Sequence, residues 1–489
     1  MVRPVVLHSG EVDGAKELGI ALAGAMGRKL EVVTDVGSVL GKRGGGEVFL
    51  LPSAALLDRA SRVELLNGSI VIWVKGADAV LGIGGAGLGS SVERARVQAV
   101  LDRVYAECHL VVEPEKVGVA RAVEEVRSVV ERGPVAVAAE ERSYLVEVGR
   151  GILESALGAR EFKAPAVLYL TDGNVDRLHG QRLRAGVAAT GMRVEPIVLP
   201  PGEETKCLGS LGSIFDRALE RGIDRSCWVI AGGGGVVTDI SGLVAALWMR
   251  GLKWMGIPTT LLAMVDASVG GKTAVDHGMG KNSVGAFWQP SLVVCDVDWL
   301  ETESERNYVG ALAEVVKTAL IGDPALFELL EAEPARVRAR DLDLLTDIVR
   351  RCVAVKARIV GLDERESGLR AVLNLGHTVG HALEALGEYK RYTHGEAVSL
   401  GLVAALRLGE RLGQTSRVVA ERVEALLRRL GLPVELPRSE LAAASELLGH
   451  DKKRAGSALK FIFVREVGDV RVERLVLEDL REWVAAMAG

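Results

Sequence analysis

Residues 232–235 are four consecutive glycines that follow directly on the apolar run Cys227-Trp228-Val229-Ile230 and open a helical pattern through Trp248. Glycine loses more conformational freedom on folding than any other residue. A run of four therefore marks a place where the backbone must turn tightly or be approached closely. A strand that passes through such a turn into a helix is the opening half of a parallel β–α–β unit. Amide N–H groups at the start of that helix suit a phosphate, at the positive end of the helix dipole. The spacing is not the common GxGxxG dinucleotide fingerprint, and a tight strand-to-helix turn is the competing reading.

The neighbouring residues extend the pattern. Apolar runs at 166–170, 194–198, 227–230, 254–257 and 292–295 read as buried strands separated by helices. Together they predict a Rossmann-like open sheet with ligands at the carboxyl ends of its strands. From about residue 303 the chain turns to long helices rich in Leu, Ala, Glu and Arg. Only 459–464 and 470–475 read as strands there, a hairpin turned at Gly468-Asp469. The front of the chain is a smaller parallel α/β region with strands at 5–7, 31–33, 48–51 and 70–74, a helix over 15–27 and Gly-rich loops at 41–46 and 82–89. A charged helical stretch, closed by Gly133-Pro134, joins the parts. The expected division is 1–114, a connector 115–134, an α/β region 135–302 and a helical region 303–489.

A chain of 489 residues accommodates two or three such domains. Aromatic residues are only 4%, so the core is built from Val, Leu, Ala and Ile. A net charge of -5 disfavours nucleic acid as the main partner. Five cysteines, an odd count without a CxxC pair, read as reduced thiols. No apolar stretch resembles a signal peptide or a membrane span, so the expected location is the cytoplasm.

Three groups of residues carry chemistry. Asp172 and Asn174 follow the strand 166–170, where a carboxylate meets ribose hydroxyls; an Asx turn capping the next helix is the alternative. Gly376-His377-Thr378-Val379-Gly380-His381 sets two imidazoles four apart on one helix face, with His394-Gly395-Glu396 shortly after. Catalytic zinc takes three His or carboxylate ligands. On spacing alone these are His377, His381 and either Glu384 or His394. Third, Arg250, Lys272, Lys281, Lys317, Lys356 and Arg370 recur in apolar or Gly-rich settings, which suggests a cationic pocket for a small anion. Gly270-Gly271-Lys272-Thr273 lacks the leading glycine of a P-loop.

Taken together these segments resemble the 3-dehydroquinate synthase family, from about Tyr144 onward. The matching motifs include 233–236 through Asp239, 258–266, 270–274, Lys281-Asn282, 313–317, 374–378 and 394–396. The resemblance implies zinc held by Glu314, His377 and His394, with cobalt as a substitute, and His381 turned to substrate. It implies NAD contacts from Asp172, Asn174, Glu203, Lys206, Gly234, Gly235, Asp239, Thr259, Thr260, Lys272, Lys281 and Thr302. It implies a substrate pocket of Asp266, Lys272, Asn282, Lys317, Lys356, Arg370, Asn374 and His381, joined by Lys452, Lys453 or Lys460. Arg250 matches a residue that reaches the neighbouring subunit's site, which implies a homodimer. Thr238 stands where the family usually has Gly. The implied reaction converts 3-deoxy-D-arabino-heptulosonate 7-phosphate to 3-dehydroquinate and phosphate, in aromatic amino acid biosynthesis. Rival readings are another sugar-phosphate cyclase, a polyol dehydrogenase and a noncatalytic nucleotide-sensing scaffold.

The front region resembles shikimate kinase, a P-loop kinase fold, over about residues 2–114. Its P-loop position reads Gly10-Glu11-Val12-Asp13-Gly14-Ala15-Lys16-Glu17. Lys16 is retained, but Ala15 replaces a glycine and Glu17 replaces the Mg²⁺-binding hydroxyl residue. Pro52-Ser53-Ala54 stands where that family has a triple glycine. The expectation is a domain without kinase activity; a live kinase in a bifunctional enzyme is the counter-reading.

Overall fold

The computed structural model describes residues 5–9, 12–26, 29–32, 47–52, 59–74, 108, 110–112, 119, 121–123, 126, 129, 133–139, 142–158, 164–278, 280–448 and 458–487. The loops 41–46 and 82–89, Gly10-Glu11, Ser53-Ala54, most of the connector, Lys452 and Lys453 lie outside them. The chain divides into two compact units, residues 1–148 with 357–364, and residues 149–356 with 365–489.

The first unit holds strands β1 (Val5–Ser9), β2 (Lys29–Val32), β3 (Glu47–Pro52), β4 (Ile70–Val74) and β5 (Leu110–Val112) in the order β2-β3-β1-β4-β5. Every neighbouring pair is parallel. Leu18 and Leu22 of the helix Val12–Met26 pack with Val5, Leu7, Ile70 and Ile72 in its core. Two antiparallel strands, β6 (Val135–Val137) and β7 (Tyr144–Gly149), also appear in the chain. The helix Arg59–Gly68 is anchored within this unit by Arg59, which donates to the carbonyls of Ala138 and Gly361, each at 3.0 Å.

The second unit is built on β8 (Ala166–Asp172), β9 (Arg193–Leu199), β10 (Trp228–Gly233), β11 (Lys253–Pro258) and β14 (Leu292–Asp296), hydrogen-bonded in parallel in the order β14-β11-β10-β8-β9. These five strands were legible as apolar runs because both faces of a parallel sheet are covered. Leu168, Leu170, Val229 and Ala231 pack with Ile214, Ile240 and Val244 in one core cluster. A long antiparallel hairpin, β12 (Lys272–His277) with β13 (Gly280–Phe287), leaves this sheet between β11 and β14. Lys272 begins a strand and not a helix, so Gly270–Thr273 does not form a P-loop. Helices follow from Glu305, then the hairpin of β15 (Ala458–Glu466) and β16 (Asp469–Val476), with Gly468 in the left-handed region at its turn.

Glu303 leads into the helix Glu305–Gly322 and accepts the Leu261 N–H at 2.9 Å. Burial pushes its carboxyl up to about 7, against that bond and Arg340. The folded state therefore holds a proton that an unfolded carboxyl, near 4.5, has already released. Stability falls as pH rises through this window and levels above it. Glu303→Gln keeps an acceptor but carries no charge. Its Tm advantage over wild type is expected to be larger at pH 8 than at pH 5; an equal or shrinking advantage in thermal melts contradicts the assignment.

Candidate active site

The strand order reverses between β8 and β10, the position where open α/β sheets form a ligand crevice at their carboxyl ends. β8 ends at Asp172 and β10 at Gly233. Gly234 caps the helix Gly235–Leu247. Two of the glycines here have no room for a side chain. A Cβ on Gly232 would stand 2.6 Å from the Tyr169 hydroxyl oxygen, and one on Gly233 would stand 2.7 Å from Val237 side-chain atoms. Asp172 uses Oδ1 to cap the helix Gly173–Ala188, accepting from Asn174 N at 2.8 Å and Val175 N at 3.1 Å. The Asx-turn reading of this segment is thus present in the structure. Thr259 is buried and its hydroxyl finds no partner among the described residues. Thr260 Oγ1 accepts the Ala263 N–H, and Thr302 Oγ1 lies 2.7 Å from His179 Nε2.

Lys206 binds this crevice to the β12–β13 hairpin. Its ammonium donates to the Asp239 carboxylate and to the side-chain oxygen of Asn282. Burial raises Asp239 to about 6 although Lys206 pulls it down. Asn282 sits at a φ of 53°, and its N–H donates to Asp276 at 2.6 Å.

The metal candidates come from three helices: Glu305–Gly322, His377–Leu386 and His394–Arg411. One ligand atom each of Glu314, His377 and His394 lies within 4.8 Å of the others. Glycine beside the ligands makes this convergence sterically feasible. A Cβ on Gly395 would fall 2.0 Å from the Gly310 carbonyl oxygen, and one on Gly401 would fall 1.8 Å from that of Gly376. The three helices therefore touch backbone to backbone. Glu314 is 1% exposed, and neither carboxylate oxygen has an aligned hydrogen-bond donor among the described residues. His377 Nε2 and His394 Nε2 stand 3.6 and 3.5 Å from its Oε1. Burial opposes its charge, but Lys317 and the His394 imidazole hold Glu314 well below the usual carboxylate range. Burial, reinforced by Lys317, depresses His377 to about 3, leaving it neutral and able to ligate. One carboxylate and two imidazoles, with the buried Oε1 facing both rings, fit a zinc ion.

His381, Glu384 and His394 form a second close group; His377 and His381, paired on spacing alone, fall in different groups among the described residues. His381 is half exposed, its ring 5.0 Å from that of His377.

The cationic residues split into paired and guarded groups. Lys317 pairs with Glu314 and Lys356 with Asp266, and Lys356 also donates to the Asp266 carbonyl at 2.7 Å. Against burial, Lys356 and Lys317 lower Asp266 to about 2. Arg370 is buried and donates to the Gly270 carbonyl at 3.0 Å. Lys272 pairs with Glu366, which also accepts from Asn374 Nδ2 at 2.7 Å. Glu366 and Asp276 were not anticipated from sequence. Glu366 sits at a φ of 58° in a run of charges that reads as solvated surface. Arg250 is exposed in a left-handed turn, and Lys460 lies on β15.

Family profiles described as 3-dehydroquinate synthase N-terminal and C-terminal match residues 196–310 and 311–454. A 3-dehydroquinate synthase of Pelobacter propionicus is 44% identical over 336 residues, covering 69% of this chain and 92% of that protein. The chain belongs to the 3-dehydroquinate synthase family. Another member, from Halorhodospira halophila, is 45% identical and covers 68% of this chain and 93% of its own. A solved 2-epi-5-epi-valiolone synthase from Streptomyces hygroscopicus, with NAD+ and Zn2+ bound, superposes with a TM-score of 0.64 at 28% identity, over 72% of this chain and 98% of that one. A 2-deoxy-scyllo-inosose synthase complexed with carbaglucose-6-phosphate, NAD+ and Co2+ shares the fold, with a TM-score of 0.67 at 24% identity, over 72% and 99% of the two chains. The fold in common is the Rossmann-like α/β region followed by a helical region.

At Thr238, where the resemblance implies Gly, the geometry is harmless. Both its N–H and its hydroxyl donate to the Gly234 carbonyl at 3.0 Å. The side chain folds back on its own helix and leaves the glycine turn intact. The profile matches begin at residue 196, beyond the whole five-stranded front sheet.

Proposed function

We propose that this chain converts 3-deoxy-D-arabino-heptulosonate 7-phosphate to 3-dehydroquinate and phosphate. The observation that carries the reading is the juxtaposition of the buried Glu314–His377–His394 group with the cations Lys317, Lys356 and Arg370. A polyol dehydrogenase of similar fold has no need of so many cations. NAD bound at the β8–β10 crevice would remove and return a hydride, and zinc at Glu314, His377 and His394 would lower the pKa of the substrate alcohol.

The protein's own residues supply the rest. Buried Arg370, with Lys272 and Asn374, presents donors to the substrate's anionic ends. Glu366 keeps Lys272 and Asn374 together until an anion takes its place. Lys356 and Asp266 fix each other, so that the Lys356 side chain stays aimed although burial pulls its pKa down. His381, half exposed beside the metal group, is placed to exchange a proton with substrate and solvent. The test is steady-state phosphate release with catalytic NAD. Product without accumulating NADH supports the cyclase reading; NADH formed in proportion to product favours a dehydrogenase.

A homodimer is part of the same proposal. Leu247 and Met249, 51% and 44% exposed, lie just before Arg250 in the turn that leads to Gly251. If Arg250 serves the neighbouring site, mixed Arg250→Ala and Lys356→Ala chains regain about a quarter of wild-type activity, because half of the dimers carry one intact site. Recovery of nothing in a mixture shown to exchange subunits places Arg250 in its own site.

The front unit is proposed to be a kinase-like domain without kinase activity. Its helix begins at Val12, so 12–17 are helical where a P-loop must arch around phosphate before its Lys. ATP-dependent phosphorylation of shikimate, abolished by Lys16→Ala, would overturn this.

A further inference from the structure

We infer that Glu384 is a positioning residue through which metal and NAD strengthen each other's binding. This rests on the zinc and NAD reading above. His394 is held from both sides of its ring. Nε2 faces Glu314 at 3.5 Å, and Nδ1 lies 3.4 and 3.3 Å from the two oxygens of the Glu384 carboxylate. A carboxylate accepts only, so Nδ1 carries its proton toward Glu384, and a metal ion held beside Glu314 would take the Nε2 lone pair. The same carboxylate meets the Lys281 ammonium at 3.5 Å, and Lys281 meets Glu203 at the same distance. Lys281 and Glu203 are the residues expected at the cofactor. The line from the metal group to the cofactor crevice is thus Glu314, His394, Glu384, Lys281, Glu203.

The main chain fixes this line as well. Tyr389 N donates to the Glu384 carbonyl at 2.9 Å, and Glu388 and Tyr389 both lie in the left-handed region. That turn starts the loop that delivers His394, and the Tyr389 ring receives the Lys281 ammonium 5.2 Å from its centre. Glu384 is 2% exposed, so its charge must be balanced by His394 and Lys281 and not by solvent. NAD that orders Lys281 therefore orders Glu384 and, with it, the His394 ring.

The alternative is that Glu384 is itself a ligand in the group with His381. The experiment measures zinc Kd by chelator competition, with and without saturating NAD, and NAD Kd by calorimetry with and without zinc. In wild type, NAD is expected to tighten zinc about 5-fold or more, and zinc to tighten NAD by the same factor. Glu384→Ala should weaken zinc 10–100-fold, roughly the effect of losing such an outer carboxylate, and remove the coupling. Glu384→Gln, which retains an acceptor for Nδ1–H, should recover most zinc affinity but not the coupling. Lys281→Met should remove the coupling. Independent binding in wild type, or wild-type zinc affinity in Glu384→Ala, overturns the inference. A Glu384→Gln protein as poor in zinc as Glu384→Ala, with His381→Ala equally poor, overturns it in favour of ligation. Zinc retained by His377→Ala would instead sink the underlying metal reading.

Discussion

His377→Ala is expected to lose bound zinc and to lower kcat/KM on the order of 10³-fold or more, about 4 kcal/mol of transition-state stabilisation. Its fold should survive, because His377 is held neutral and its removal strands no charge. Glu314→Ala should lose the same metal and activity but also stability. Lys317, 2% exposed, would be left buried with its nearest carboxylate gone. Breaking one side of such a buried pair costs about 3–5 kcal/mol. Metal content by atomic absorption, kinetics and a denaturant midpoint separate the two variants. Near-stoichiometric zinc in His377→Ala, or equal midpoints for the two proteins, contradicts this account.

Gly401→Ala should be the most damaging small substitution in the helical region. The added Cβ would lie 1.8 Å from the Gly376 carbonyl oxygen, a backbone atom that cannot rotate aside. Gly376 itself has a φ of 80° and immediately precedes His377, so any retreat shifts a proposed ligand. Overpacking of this kind costs about 3 kcal/mol or more. Gly212→Ala is the control. It lies in the helix Leu208–Glu220 with nothing within 4 Å of the new Cβ. There Ala should stabilise by about 1 kcal/mol through helix propensity. The expected result is opposite signs in Tm, with zinc affinity lost only in Gly401→Ala. A Gly401→Ala protein with wild-type Tm and metal content would show that the helices are free to separate.

The five parallel strands of the second unit were readable because each is an uninterrupted apolar run, such as Val167-Leu168-Tyr169-Leu170. The β12–β13 hairpin was not. Its residues alternate small, polar and charged side chains, and Ser283, Ala286 and Phe287 bear no mark of pairing that a window of sequence can detect. β5, β6 and β7 are too short or too weakly patterned to stand out. The metal group shows the limit most clearly. His377 and His381 share a helix face and so invite pairing by spacing. Glu314 comes from a helix far away in sequence, and only the family motifs pointed to it. Glu366 and Asp276 lie in segments that read as solvated surface. Their meaning depends on Lys272 and Asn282 folding back over them, a long-range fact that local composition does not encode.

The contact of the helices through bare main chain at Gly310, Gly376, Gly395 and Gly401 has a dynamical consequence. Interfaces lined by long side chains loosen gradually, as rotamers become populated on heating. At the Gly395–Gly310 and Gly401–Gly376 contacts there are no rotamers to populate. The distances among Glu314, His377 and His394 should hold nearly constant with temperature until the helices part together. Release of the ion and loss of tertiary structure would then be one event, recorded at one temperature by a metal-sensitive dye and by near-ultraviolet dichroism.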